Sequence, residues 1–415
     1  MENRYEQYKD SGIAWIGEIP EHWEVKKGKN LFKKEERPVR ENDEIITCFR
    51  DGEVTLRSNR RTDGFTNAMK EVGYQGVRKG DLVIHNMDAF AGAIGVSDSD
   101  GKSTPVYSVC TPKYNTDANV YYYAYLLRSY ALGGVIQSLA KGIRERSTDF
   151  RYKEFGDLFY QQPPIKEQQS IATYLDQKCS EIDELITLQE EMITKLQSYK
   201  QSVITEAVTK GLDKNVPLKD SGIEWIGEIP EHWTLKRIKN ICDNLDYLRE
   251  PISAEHRSRK NPIYDYYGAS GVIDKIDYYN VDDEVLLIGE DGANLVMRNL
   301  PLVYKAKGKF WVNNHAHILK PKNDNYDFCA YAFEAADYSL FITGSAQPKL
   351  SQENLGRIKI AIPPLSEQQS IADYLDQKCS EIDELISIKQ QKIEKLKDYK
   401  KSLIFECVTG KRKVS

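Results

Sequence analysis

Two segments of this chain occur twice. Residues 9–23 (KDSGIAWIGEIPEHW) return as residues 219–233 with one change, Ala14 against Glu224. Residues 167–186 (EQQSIATYLDQKCSEIDELI) return as residues 367–386, with Thr173 against Asp373. Between these blocks the two copies look unrelated. The blocks recur at offsets of 210 and 200, so the first insert is ten residues longer. An invariant frame around variable inserts is the pattern of function carried on a shared scaffold. It restricts the fold to an internal pseudo-twofold repeat, one molecule with two dissimilar grips.

The second repeated block reads as the start of a long helix. Pro163-Pro164 and Pro363-Pro364 close a preceding strand and suit a helix N-terminus. Glu167 and Glu367 fall in the first turn, where the helix dipole favours an acid. Apolar residues then recur at three and four: Ile182, Ile186, Ile193, Leu196, Val203, Ala207, and in the second copy Ile382, Ile386, Ile393, Leu396, Leu403, Cys407. Leu185, Met192, Tyr199, Ile204 and Leu385, Tyr399, Ile404 widen the two stripes. Gly211 and Gly410 are the first breakers. A run of about thirty residues spans roughly 45 Å, too long to bury its stripe on one small domain. The other copy offers a matching partner, and Gln189 and Lys389 are polar interruptions of the kind that fix register. A pseudo-twofold axis perpendicular to the helices makes them antiparallel; a parallel pairing would put both inserts at one end.

The inserts read as mixed α/β. Strand-like runs fall at 81–85, 106–110, 284–288 and 317–319, separated by Gly, Asp and Asn turns. Short helices are predicted at 120–129 and 327–334, in the same order in both copies, so the inserts are expected to share a fold. The resulting division is 1–162, 163–212, 213–362 and 363–415.

Composition narrows the function classes. The chain has 415 residues, 40% hydrophobic and 29% charged, which suits two or more soluble domains. No apolar run reaches the roughly 18–20 residues of a membrane span, and the first residues lack a signal core, so a cytoplasmic protein is expected. Seven cysteines with no CxxC pair predict free thiols. The net charge of −5 is uneven. Residues 24–162 hold 22 Lys/Arg against 19 Asp/Glu, and residues 234–362 hold 17 of each. The acid sits in the frame and the inserts are neutral to basic, which keeps a polyanion partner open.

Enzyme signatures are missing. There is no GxxxxGK[ST] loop, no HExxH and no dinucleotide-binding turn. Asn261-Pro262-Ile263-Tyr264 departs at its third position from the adenine-methyltransferase signature and has no methyl-donor loop with it. His315 and His317, two apart in a strand, would share a face, but no third metal ligand accompanies them. Gly289-Glu290-Asp291-Gly292 reads as a tight loop. Tyr121-Tyr122-Tyr123 and Tyr264, Tyr266, Tyr267 read as core. The inserts do supply side chains suited to base edges and phosphates. The first has Arg57, Asn59, Arg60 and Arg61, then Lys141, Arg144, Arg146, Ser147, Thr148 and Arg151. The second has Arg257, Arg259 and Lys260, Asn294 and Arg298, Asn313, Asn314 and His315, and Ser345, Gln347 and Lys349. As a set these favour duplex DNA. A coiled-coil scaffold with two modules for other ligands is the alternative, and an enzyme fused to its own recognition domains a third.

The SGIxWIGEIPEHW block, the PPI/PPL-x-EQQSIAxYLDQK helix start and the helix ends EAVTKG and ECVTGK resemble the DNA specificity subunit of type I restriction-modification systems. So do LLIGEDGANLV, KGKFWVNNHAHILK and GSAQPKLSQENL in the second insert, and KGDLVIHNMDAFAGAIGVSDSDGKSTPVYSVC and KGIRERSTDFRYKEF in the first. The resemblance implies two target recognition domains, each reading half of a split DNA site, joined by an antiparallel coiled coil that sets the unread spacer. It implies a non-catalytic subunit partnered by two adenine-methylating modification subunits and by restriction (translocase-nuclease) subunits, which carry the S-adenosylmethionine, ATP and magnesium. Trp15, Trp23, Trp225 and Trp233 are the expected docking residues for those partners.

Overall fold

A computed structural model describes residues 4–60, 72–138, 149–255, 257 and 262–414. The chain divides into two compact units: residues 1–189 with 391–415, and residues 190–390.

In the first unit a four-stranded antiparallel sheet runs in the order Phe32–Lys34, Tyr107–Pro112, Leu82–His85, Ile94–Val96. Successive side chains of a strand face opposite ways. Leu82 and Ile84 accordingly pack with Tyr122, Tyr123, Leu126 and Leu127 of the helix Val120–Leu132. Val83 and Val109 pack on the other face with Ile46, Cys48, Val54 and Val77. Both faces are covered, which explains the unbroken apolar run at 82–84.

The second unit keeps this four-strand order in Cys242–Asn244, Ala316–Pro321, Val281–Gly289 and Val303–Val312. It adds a hairpin, Tyr264–Gly268 with Gly271–Ile276, joined through a parallel pairing of Tyr264–Gly268 to Val303–Val312. Leu286 and Ile288 face Phe328, Cys329 and Phe333 of the helix Tyr326–Ala335. Val285 and Leu287 point to the other face, where they cluster with Phe310, Val312 and Ile318 of the neighbouring strands. The shared fold expected of the inserts therefore holds for the central sheet and its helix. Outside it, the first unit carries two small two-stranded sheets where the second extends its main sheet. Tyr122, Tyr123 and Tyr266 are core, as expected; Tyr121 is exposed.

The two long helices are Ile165–Lys210, 46 residues, and Leu365–Val408, 44 residues. The apolar stripe from Ile182 or Ile382 covers about thirty residues of each; the rest is the helix start, which lies at the diproline with Glu167 and Glu367 in the first turn, as expected. Each unit holds a half of both. In the first, Ile171, Leu175 and Ile182 share a core with Leu403, Cys407 and Val408. In the second, Val203, Ile204, Ala207 and Val208 share one with Ile371, Ala372, Leu375 and Cys379. The pairing is antiparallel: Lys389 Nζ lies 3.2 Å from Met192 Sδ while Lys200 Nζ lies 2.7 Å from Asp383. Lys400 meets Asp183 at 2.6 Å in the first unit, the same pair of repeat positions with the roles of the copies exchanged. Gln189 is buried in the seam. Leu185, Met192, Tyr199, Leu385 and Tyr399, expected to widen the stripe, are exposed, so the seam is narrower than the apolar pattern.

The frame is repeated because it grips each insert in the same way. Buried Gln168 donates to the Pro163 carbonyl at 2.7 Å and accepts from the Asn119 N–H at 2.9 Å; Gln368 repeats this with Pro363 at 2.9 Å and Asn325 at 2.7 Å. Asn119 and Asn325 are the N-caps of the two sheet-covering helices. Tyr125 and Tyr331 then bond Asp176 and Asp376 at 2.8 and 2.7 Å. No helix among the described residues is long and apolar enough to cross a membrane.

Candidate nucleic-acid interface

Each unit builds the same backbone corner where its central strand ends. In the first, the Asn86 N–H donates to the Val106 carbonyl at 3.0 Å and the Asn86 carbonyl accepts from the Phe150 N–H at 3.0 Å. In the second, the Glu290 N–H donates to His315 O at 2.9 Å and the Glu290 carbonyl accepts from the Leu350 N–H at 2.8 Å. Three stretches far apart in sequence thus meet: the turn after the central strand, the approach to its antiparallel neighbour, and the segment before a short helix, Tyr152–Asp157 or Gln352–Arg357.

The second corner gathers six of the residues singled out by sequence. Asn313 is buried and its side-chain oxygen accepts from the His315 N–H at 2.8 Å, which leaves Asn314 and His315 exposed on the turn. His315 Nδ1 lies 2.7 Å from Asp291 Oδ2. Lys349 Nζ pairs with Glu290 at 3.0 Å, and Gly292 N–H bonds the Pro348 carbonyl at 3.0 Å. Ser345 and Gln347 stand exposed on the turn between Ile342–Thr343 and Lys349–Leu350. Beneath them Arg249 bonds Glu290 and reaches the Asn314 and Ala316 carbonyls at 3.5 and 3.4 Å. Burial works to raise the Glu290 carboxyl, but the hydrogen bonds from Arg249 and Lys349 outweigh it and hold it below the usual range. Arg249 was not among the residues the sequence pointed to; nothing near it in the chain marks it as a support for a turn 41 residues away.

His315 and His317 do not share a face. The strand begins at Ala316, so His315 lies in the turn, while His317 is fully buried between Asp246 at 2.6 Å and the Leu350 carbonyl at 2.8 Å. Burial raises the Asp246 carboxyl, and the hydrogen bond and charge of His317 bring it below its ordinary value.

At the first corner, Arg151 pairs with Asp149 at 2.5 Å and lines a cleft of about 780 Å³ with Lys34, Asn86, Met87, Tyr107 and Lys153. Met87 is 51% exposed. Arg50 bonds Asp88 at 2.8 Å, which lays the hairpin turn at 49–53 beside the corner. Arg57 and Arg60 follow that hairpin. Arg57 Nε is 3.4 Å from Thr47 Oγ1; Arg60 pairs with Asp51 at 2.5 Å and Glu53 at 2.9 Å over the Phe49 ring. Asp51 raises the Arg60 guanidinium further above its usual value. Arg61, Lys141, Arg144, Arg146, Ser147 and Arg259 lie outside the described residues.

Three further positions are part-buried and hydrogen-bonded to neighbours in the fold. Arg257 bonds Asp274 at 3.1 Å over the Tyr266 ring. Asn294 closes a loop through Leu300 N–H at 2.9 Å and the Leu300 carbonyl at 3.1 Å. Arg298, at φ 52°, donates to the Glu334 carbonyl. Of the tryptophans, Trp23 and Trp233 are fully buried, Trp225 packs half-buried on the core of its unit, and Trp15 is exposed.

A family model for the type I restriction modification DNA specificity domain matches residues 230–398. The chain is 25% identical over 427 aligned residues, 96% of each chain, to a protein of Methanocaldococcus jannaschii assigned as the specificity subunit of type I restriction enzyme MjaX. It is 33% identical over 160 residues to S.HindORF215P of Haemophilus influenzae, assigned as a type I restriction enzyme specificity subunit; that match spans 38% of each chain. Its fold matches a chain from a structure of the type I R-M system described for complex assembly and conformational transition, with a TM-score of 0.71 at 14% identity over 94% of this chain and 98% of that one. With a frame that grips two dissimilar inserts alike, the chain is similar in sequence to type I restriction-modification DNA specificity subunits, along nearly its whole length in the Methanocaldococcus jannaschii protein, and it shares its fold with a chain of a type I R-M system.

Proposed function

We propose that each unit reads one half of a bipartite duplex DNA site and that the paired helices set the unread spacer between the halves. The observation that carries this reading is the duplicated corner. One backbone arrangement occurs twice, and in each copy it presents a different set of hydrogen-bonding side chains on a frame that does not change. Arginine reads guanine bidentately, asparagine and glutamine read adenine, and lysines and hydroxyls hold phosphates. Asn314, His315, Gln347 and Ser345 at one corner and Arg151 with Lys34 and Lys153 at the other are suited to those roles.

The chain is the non-catalytic, specifying part of the assembly in this reading. Two modification subunits and the restriction subunits supply adenine methylation and cleavage, and they carry the S-adenosylmethionine, ATP and magnesium. Their docking belongs on the helical frame and its flanking hairpins. Exposed Trp15 stands on one of these. In the first unit, a groove of about 1440 Å³ with apolar floor residues Leu132, Ile186, Leu188 and Phe405 runs along the helix pair.

Genome-wide mapping of methylated adenine, with and without this gene, tests the proposal. The expected result is one bipartite motif that disappears with the gene. A motif without an unread gap, or none, refutes it. Against the alternative of a scaffold for other ligands, binding to duplex DNA should fall steeply as salt rises.

A further inference from the structure

The corner residues Asn86 and Glu290 make equivalent backbone hydrogen bonds, so the residues that follow them occupy equivalent places. These are Met87 and Asp291. The frame keeps its identity between copies; this position changes from an unbranched apolar side chain to a carboxylate. Met87 is 51% exposed and forms part of a cleft wall whose other members include Lys34, Arg151 and Lys153. A lone exposed methionine needs no explanation on an ordinary surface, but here it stands at the end of the sheet in a cleft it shares with those three cations and with Asp149, the partner of Arg151. Asp291 differs in being held. Its Oδ2 faces His315 Nδ1 at 2.7 Å, its backbone bridges to Lys349, and its side chain remains 20% exposed. The histidine fixes one carboxylate oxygen and leaves the other for an outside donor.

Base edges in the major groove offer one group suited to each side chain. Thymine presents a 5-methyl, which takes apolar contacts, and cytosine presents an N4 amino group, which donates to a carboxylate. We propose that Met87 and Asp291 are the same specificity position in the two units: Met87 contacts the methyl of a thymine in one half-site, and Asp291 accepts from the amino group of a cytosine in the other. This rests on the duplex-DNA reading given above.

The test is selection from randomised duplexes by the full chain in complex with its modification subunits, using a library made with thymine and a second with uracil in its place. Removing one methyl contact corresponds to about a fourfold change in preference. At one position of one half-site, wild type should prefer thymine, and the uracil library should lose about that factor. Met87→Ala should show the same loss with thymine and no further loss with uracil. Asp291→Ala should lower cytosine preference at one position of the other half-site by at least about fivefold. In each variant the untouched half-site reports that the molecule is folded. Base preferences unchanged at every position in both variants would overturn the proposal, as would a uracil effect that persists in Met87→Ala. If wild type enriches no bipartite sequence, the DNA reading itself fails, and that outcome is recognisable before any variant is made.

Discussion

Lengthening both long helices together should change the spacer and nothing else. The insertion points are between Gln189 and Glu190 and between Gln390 and Gln391, where the chain passes from one unit to the other. Placed there, additions leave the Lys400–Asp183 pair at 2.6 Å and the Lys200–Asp383 pair at 2.7 Å within their own units. Four residues add about 6 Å and about 40° of right-handed rotation, at 1.5 Å and 100° per residue. One base pair of duplex is about 3.4 Å and about 34°, from some 10.5 pairs per turn. Four residues therefore match one to two further base pairs in both length and twist. Seven residues add about 10.5 Å, close to three base pairs, but fall about 20° short of two whole turns, whereas three base pairs turn the duplex by about 100°. The four-residue variant should bind a site with a gap longer by one or two pairs, and the seven-residue variant should bind no gap well. Titration of duplexes that keep both half-sites and vary the gap would measure this. An unchanged optimal gap in the four-residue variant, or altered half-sites, would refute the view that the helices are the measuring element.

Other outcomes follow from single residues. Replacing Arg144 or Arg146 by alanine should cost about 1–3 kcal/mol on the cognate site if the residue reads guanine, and an equal loss on every sequence would mark a phosphate contact. All seven cysteines are buried, so the native chain should give almost no reaction with a thiol reagent at neutral pH and seven equivalents once unfolded. Burial pushes the Cys242 and Cys407 thiols up to about 12. Their neutral form is favoured by folding, so that stability is complete below the unfolded value near 9 and is lost as pH rises toward 12. Melting temperature should begin to fall above about pH 9, and Cys→Ala variants at both sites should flatten that fall.

The helices were legible in the sequence because a 3.6-residue period over many turns has few other meanings. Their starts were legible as well, at Pro163-Pro164 and Pro363-Pro364; the Gln168 and Gln368 contacts that hold the first turns were not, because they lie across the chain at Asn119 and Asn325. The central strands were equally plain, because burial on both faces produces runs such as Leu82-Val83-Ile84. The candidate interface was only half visible. Asn313 to His315 and Gln347 to Lys349 stand out as polar runs, but their meeting depends on Glu290 and on Arg249, which no local pattern announces. Asn294 and Arg298 have the right chemistry and are part-buried, with hydrogen bonds to their own fold at Leu300 and at the Glu334 carbonyl. Residue type reports what a side chain could bind; whether the fold has already used it is a tertiary fact.

The two copies of the frame also differ where the residues around it differ, and this gives a stability test within a single chain. His232 and Trp233 both engage Glu367, at 2.7 and 3.0 Å. His22 engages Glu167 at 2.8 Å in the same way, but the other carboxylate oxygen is taken by the Tyr5 hydroxyl. The position equivalent to Tyr5 in the second copy is Asn215, at the offset of 210. Trp23 is fully buried and its indole N–H finds no partner among the described residues. An unsatisfied buried donor costs about 1–3 kcal/mol, whereas an ordinary hydrogen bond contributes about 1 kcal/mol. Tyr5→Phe removes the competitor and frees Glu167 to accept from Trp23 as Glu367 does from Trp233. The loss of the tyrosine bond should therefore be offset, and Tyr5→Phe should be close to neutral in urea unfolding, while Glu167→Ala destabilises clearly. A double-mutant cycle of Tyr5→Phe with Trp23→Phe should show coupling, because the benefit of freeing Glu167 vanishes when there is no indole N–H to satisfy. Additive effects of the two substitutions would show that Glu167 does not move between these partners.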